Sequence, residues 1–223
     1  MKHKKLSIIK ATAFLIIGFT FLPPATLFPD EAYTLLRWAF IIKDTTSKKE
    51  YTVNDNKIFL TPTEEFKILI HSPEAAFIYL FHYSSDQTLT SLFPKKSEDV
   101  GNRPDEDLWI EIPPGPHRWH QLTPDQGIER FYLLASQKRL KKLESLTRIL
   151  LKNPDDPAAQ KKTYDEIQSA IKRNASFDPI ENPVPISGIV KSDTIDIFEV
   201  KNASFYAKSI ILLMEGNKSG REE

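Results

Sequence analysis

Residues 76–83, with the sequence AFIYLFHY, form a continuous apolar and aromatic run. Alternate side chains of a β-strand lie on opposite faces, so this run would present four aromatic rings on one face. Those rings belong to Phe77, Tyr79, Phe81 and Tyr83. A strand buried on one face alternates between apolar and polar residues, so the unbroken run predicts a central strand covered on both faces. We interpret the aromatic face as sheet core rather than as a ligand platform, because aromatic rings carry much of a core's buried area.

Other short segments with strand character surround this run, from Trp38 to Ala135, and polar turns separate them. The segments are 37–43, 51–53, 58–60, 66–70, 87–93, 108–112 and 128–135. Phe66, Ile68 and Ile70 alternate with Lys67 and His71, which predicts a half-buried strand. Helix-period stretches do not follow the strands here, so the pattern favours an antiparallel β-sandwich, Ig-like or jelly-roll-like, over a βαβ fold.

The pattern becomes helical after Ser136, and we predict a helical hairpin at about residues 137–174. The first helix has leucines at helical spacing and ends at Asn153-Pro154. Asp155 or Asp156 can cap the second helix, with Pro157 at its first position. The spaced leucines are Leu140, Leu143, Leu146 and Leu150, and the second helix is marked by Tyr164, Ile167 and Ile171.

Strand patterns return at residues 194–200 and 205–214, after a proline-rich connector at 177–185. Two strands alone are rarely stable, so we expect these to rejoin the first sheet. The fold class is therefore mainly β with an α insertion. Residues 29–223 are predicted to form a single β-sandwich domain that contains the hairpin as an insertion.

The N-terminal segment, residues 1–28, has the layout of an export signal. Three lysines precede an apolar run from Ala11 to Leu22, and Pro23-Pro24 ends that run. The segment is predicted to be a cleaved signal peptide or, alternatively, an uncleaved anchor in the inner membrane. The protein is accordingly expected to be periplasmic or exported, with membrane contact only through this segment if it is retained.

Composition narrows the classes of function. The chain contains no cysteine, so disulfides, thiol catalysis and zinc sites with thiolate ligands are excluded. Without the first 29 residues, the chain carries 26 basic and 30 acidic side chains, a net charge of about −4. A nucleic-acid partner is not expected, because it would call for a basic surplus. Seven unclustered glycines offer no phosphate-binding loop, and no cofactor is predicted.

The segment Phe66–Ser136 resembles a bacterial family called domain of unknown function 4384. The resemblance rests on two apolar strands, FKILIHS and AAFIYLFHYS, on the triplets LFP and IPP, and on GIE leading into RFYLLAS. This chain has Asp86-Gln87 in the turn where the family usually has a glycine. The resemblance implies a β-rich, envelope-associated module that is often appended to other domains. It supplies no catalytic residues.

The sequence HRWH, formed by His117, Arg118, Trp119 and His120, is the candidate contact patch. Tryptophan and arginine are enriched among residues that dominate protein interfaces. A metal site using both histidines is disfavoured, because residues three apart in a strand lie on opposite faces. His71 and His82 are expected on adjacent strands as half-buried histidines with partners, not as a functional pair.

We therefore expect a non-enzymatic binding or scaffolding module of the bacterial cell envelope. Its partner would be another envelope protein or a surface component, and the sequence assigns neither catalytic residues nor a metal. The alternative is an exported hydrolase or metal-dependent enzyme that uses His117 and His120.

Overall fold

The described residues, 34–74, 76–123, 127–174, 181–186 and 195–215, contain twelve β-strands and two α-helices in the computed structural model. The strands are β1 (Thr34–Asp44), β2 (Glu50–Val53), β3 (Lys57–Leu60), β4 (Glu64–Ser72), β5 (Phe77–Tyr83), β6 (Leu89–Phe93), β7 (Leu108–Ile112), β8 (His120–Gln121), β9 (Glu129–Ser136), β10 (Glu181–Ile186), β11 (Ile195–Ala203) and β12 (Phe205–Met214). The helices are α1 (Lys141–Lys152) and α2 (Pro157–Asn174).

The strands form two sheets. The seven-stranded sheet has the order β10-β11-β1-β4-β7, with β2 paired to β1 and β8 paired to β4. The five-stranded sheet has the order β3-β12-β9-β5-β6. The pairing of β3 with β12 is parallel, and the other described pairs are antiparallel. The predicted β-sandwich with a helical hairpin is confirmed. It differs from the purely antiparallel prediction by one parallel strand pair.

Strand β5 is buried on both faces, as its sequence predicts. Ile78 and Leu80 belong to the large apolar cluster between the two sheets. Phe77, Tyr79 and Phe81 belong to a second cluster, between the five-stranded sheet and the helices. The fold therefore has three layers, and the five-stranded sheet is the middle one.

The helical hairpin covers the outer face of the five-stranded sheet. Leu143 and Leu150 of α1, with Ile167 and Ala170 of α2, are buried against the aromatic side of β5. The carboxylate of Asp156 accepts a hydrogen bond of 2.9 Å from the backbone N–H of Ala158. This bond caps α2, so the aspartate cap and Pro157 as first residue are confirmed.

Buried carboxylates fix the hairpin in place. Glu144 of α1 accepts a hydrogen bond of 2.9 Å from the Tyr79 hydroxyl and pairs with Arg139. Glu166 of α2 accepts a hydrogen bond of 2.6 Å from Arg173 and also pairs with Lys142. Burial opposes ionisation of both glutamates, but the hydrogen bonds outweigh it and lower the pKa of each below the ordinary 4.5. Each carboxylate is therefore charged in the folded protein at neutral pH.

Strand β4 is buried on both faces, so the prediction of a half-buried strand at 66–70 is wrong. Lys67 is 5% exposed and His71 is 3% exposed, although both point to the outer face of the seven-stranded sheet. Aromatic side chains from elsewhere in the chain cover them, as described below. Strand periodicity could not reveal this cover, because it records only alternation within one segment.

The predicted connector at 177–185 is also corrected, since residues 181–186 form the edge strand β10. Pro183 lies opposite Phe198 and Pro185 lies opposite Asp196. Proline lacks an N–H, so an edge strand tolerates it where that group would point away from the sheet. Residues two apart in a strand direct this group to the same side, so both prolines can meet the condition together. Beyond β10, the later strands join both sheets: β11 lies beside β1, and β12 lies inside the five-stranded sheet.

Gly127, which precedes β9, does not adopt a positive φ. The described glycines with positive φ are Gly101 and Gly115. A Cβ atom on Gly127 would lie 2.9 Å from the Cβ of Ser85, so the glycine permits a close approach of two segments. In the β5–β6 turn the positive φ of 66° falls on Gln87, at the point where the resembling family usually has a glycine.

The N-terminal segment, residues 1–28, lies outside the described residues, as does the C-terminal stretch 216–223. The described elements belong to one unit, Ala32–Glu223. Within the described ranges, neither helix has the length and apolar character required to cross a membrane.

We predict that Gln87→Gly stabilises the protein by about 0.5–1 kcal/mol, because glycine adopts a positive φ without the steric cost of a Cβ atom. Urea unfolding of the full chain measures the change. Gln87→Ala is the matched control, since it keeps the Cβ and should leave stability within about 0.5 kcal/mol of wild type. Destabilisation by the glycine would contradict the prediction.

We also predict a loss of stability in acid. Glu144 and Glu166 have lower pKa values in the folded protein than in the unfolded chain, so their contribution is complete above about pH 4.5. It is lost as the pH falls through the lowered pKa values. Melting temperatures measured between pH 7 and pH 3.5 should therefore decrease more steeply in wild type than in Glu144→Gln. The exposed Glu98→Gln should follow wild type, and equal slopes in all three proteins would contradict the prediction.

Candidate functional site

The loop 113–119 joins β7 to β8 and is held against the seven-stranded sheet. The ammonium of Lys67 donates a hydrogen bond of 2.7 Å to the carbonyl of Gly115. The backbone N–H of Gly115 donates one of 3.2 Å to the Glu111 carboxylate. Gly115 has a φ of 103°, which L residues rarely adopt, so a glycine is required at this anchored point of the loop.

The anchored loop places Trp119 on the outer face of the seven-stranded sheet. Its ring is half-buried and packs against a small apolar cluster. That cluster consists of Ala39, Ile41, Leu69 and Ile197. The ammonium groups of Lys43 and Lys67 lie 5.0 and 5.2 Å from the centre of the Trp119 ring. Both distances are within the range of cation–π attraction. The ring therefore attracts two ammonium groups and also covers apolar surface of the sheet.

A second tryptophan lies on the same face. Trp109 of β7 packs against the same cluster and stacks on the ring of His71, with centroids 4.2 Å apart. The Nε2 atom of His71 lies 2.8 Å from a carboxylate oxygen of Asp107.

We call the exposed parts of Lys43, Trp109, Arg118 and Trp119 the Trp119 surface. Three ion pairs adjoin it: Arg37 with Glu199, Lys43 with Glu65, and Lys67 with Glu111.

The four residues of HRWH separate in the structure. His117 and Arg118 are exposed in the loop, and Trp119 lies on the outer face of the sheet. His120 belongs to β8, lies opposite Phe66 and packs its ring 5.4 Å from the Phe66 ring, on the side that faces the other sheet. Trp119 and His120 therefore lie on opposite faces of the seven-stranded sheet, and the contact patch itself stays a prediction.

Burial lowers the pKa of His120, and the nearby His82 and Lys95 add to that effect, so the imidazole is neutral at neutral pH. Within the described ranges there is no group of three or more His, Asp or Glu side chains that could hold a metal ion. The geometry gives no support to a site that needs both imidazoles.

His71 and His82 do not face each other, because β4 and β5 belong to different sheets. The prediction of adjacent strands was wrong, but the prediction that each histidine has a partner is confirmed by a carboxylate beside each ring. His82 lies 2.6 Å from Glu129, and Glu129 accepts hydrogen bonds from the N–H and the hydroxyl of Ser85. Burial opposes ionisation of Glu129, but the bonds from His82 and Ser85 lower its pKa. Sequence reasoning missed this cluster, because only strand pairing brings β5 beside β9.

Comparisons with protein-family models, with curated proteins and with solved structures found no match to this chain. The resemblance of Phe66–Ser136 to domain of unknown function 4384 stays a prediction from its residues.

We predict that Trp119→Ala lowers the free energy of unfolding by about 2 kcal/mol. The change removes half-buried ring surface, uncovers the apolar cluster and removes the cation–π partner of Lys67. Urea unfolding of the full chain measures the effect. Trp119→Phe keeps an aromatic ring and should lose less than half as much, whereas an unchanged stability in Trp119→Ala would show that the ring does not pack on the sheet.

Proposed function

We propose that this protein is an exported, non-enzymatic binding or scaffolding module of the bacterial cell envelope that contacts its partner through the Trp119 surface. One observation carries the proposal. In the described residues, the outer face of the five-stranded sheet is covered by two helices, whereas the outer face of the seven-stranded sheet is covered by Trp109 and Trp119, both half-buried.

The chemistry of the Trp119 surface suits an interface. Tryptophan and arginine are the residue types that most often dominate binding energy, and Arg118 lies beside Trp119 on the anchored loop. Interfaces combine such an apolar centre with a polar rim. The exposed members of the ion pairs on this face, Arg37, Lys43, Glu65 and Glu111, would form that rim, since they carry two charges of each sign.

The anchoring of the loop also favours binding. Gly115 is held by Lys67 and Glu111, so Trp119 is positioned before any partner arrives. A preformed contact loses less conformational freedom when a partner binds, which strengthens binding for the same contact area. The support for export is the sequence of residues 1–28, with its basic start and apolar run.

Site-specific crosslinking in cells tests the proposal. A photo-crosslinking amino acid at position 118 should give a discrete adduct, recovered from the envelope fraction, that Trp119→Ala reduces by about tenfold. The same amino acid at position 162, on the exposed side of α2, is the control and should not give that adduct. An adduct that is insensitive to Trp119→Ala, or one recovered from the cytoplasm, would contradict the proposal.

A further inference from the structure

A cavity of about 670 Å³ lies between the β5–β6 turn and the start of α2. Its size falls within the roughly 300–1,000 Å³ of typical small-molecule sites. It is on the helical side of the sandwich, whereas the Trp119 surface is on the outer face of the other sheet. The cavity therefore offers a site that is independent of the proposed function.

Two stacked tyrosines form the aromatic wall of the cavity. The rings of Tyr83 and Tyr164 have centroids 4.5 Å apart and an interplanar angle of 28°. Both rings are half-buried, and the buried Tyr132 supports Tyr164 from behind in an edge contact of 6.0 Å. The wall is thus held by the core and offers apolar contact area to a ligand.

The rest of the lining carries more negative than positive charge. It includes the carboxylates of Asp86, Asp155 and Asp165, and its cation is Lys161. Lys161 pairs with Asp165 at 2.8 Å, which leaves Asp86 and Asp155 without a cationic partner among the lining residues. Hydrogen bonds from Ser84 and Thr88 lower the pKa of Asp86, so this carboxylate is charged at neutral pH.

The N-terminus of α2 also borders the cavity and would by itself favour an anion. Asp156 caps that end with its own carboxylate, which supplies the negative charge that the helix attracts. A further anion in the cavity would be repelled by the carboxylates of Asp86 and Asp155. The charge distribution therefore opposes an anionic ligand and favours a cationic one.

We propose that this cavity binds an organic cation, with an alkylammonium group against the Tyr83–Tyr164 pair and its charge facing Asp86 and Asp155. A free amine and a lysine side chain of a partner protein present the same chemistry. The two tyrosines supply contact area for the methylene or methyl groups, and the carboxylates supply the preference for positive charge.

Calorimetric titration of the full chain, in a non-ionic detergent, tests the proposal. Choline should bind about tenfold more tightly than 3,3-dimethylbutan-1-ol, which has the same shape but no charge. Spermidine and a trilysine peptide distinguish the two sources of the cation. Tighter binding of trilysine would assign the site to a basic segment of a protein, and tighter binding of spermidine would assign it to a free polyamine.

Matched variants test which residues bind the cation. Asp86→Asn with Asp155→Asn should weaken choline binding by about tenfold, and the asparagine at 86 keeps an acceptor for the Thr88 N–H. Tyr164→Leu keeps apolar volume but removes the ring, and should weaken binding by about fivefold. Asp105→Asn with Glu106→Gln removes the same charge outside the cavity. Any of three results would overturn the proposal. None of the three cations binds saturably, choline and its neutral analogue bind equally, or the charge control weakens choline binding as much as the cavity variant does.

Discussion

The burial of the five-stranded sheet on both faces is the constraint on which the rest of the structure depends. Strand β5 lies between β9 and β6 in that sheet, with Ile78 and Leu80 toward the other sheet and Tyr79 and Phe81 toward the helices. Transfer of such side chains out of water stabilises the fold by roughly 25 cal/mol for each Å² of apolar area. The hairpin is therefore part of the core, since without it an aromatic face would be exposed to water.

The polar contacts of the hairpin determine how it lies on that sheet. Apolar packing tolerates small rotations of a helix, but a buried carboxylate requires its partners in position. Glu144 joins α1 to Tyr79 of β5, and Glu166 of α2 pairs with Lys142 of α1 and with Arg173 of its own helix. The same docking brings Tyr164 against Tyr83, so the cavity at the end of the hairpin results from core packing.

The outer face of the seven-stranded sheet is covered without helices. Its outer face carries a small apolar cluster, and the loop 113–119 turns back to lay Trp119 over it. Lys67 connects the two, because its stem is buried in the sheet and its ammonium reaches both the ring and the Gly115 carbonyl. A cover made of one loop and two tryptophans leaves ring surface accessible, which is why this face is the candidate binding surface.

Local pattern in the sequence was sufficient to predict most strands, both helices, an aspartate cap on α2 and the two-sided burial of residues 76–83. Those features depend on residues that are close in the chain, so periodicity and turn chemistry record them. Tertiary structure alone decided which sheet each strand joins, and it separated His71 from His82 and Trp119 from His120. Such choices depend on contacts between residues far apart in sequence, which a single strand's alternation does not encode. The Tyr83–Tyr164 pair belongs to the same class, because it joins a strand to a helix that begins more than seventy residues later.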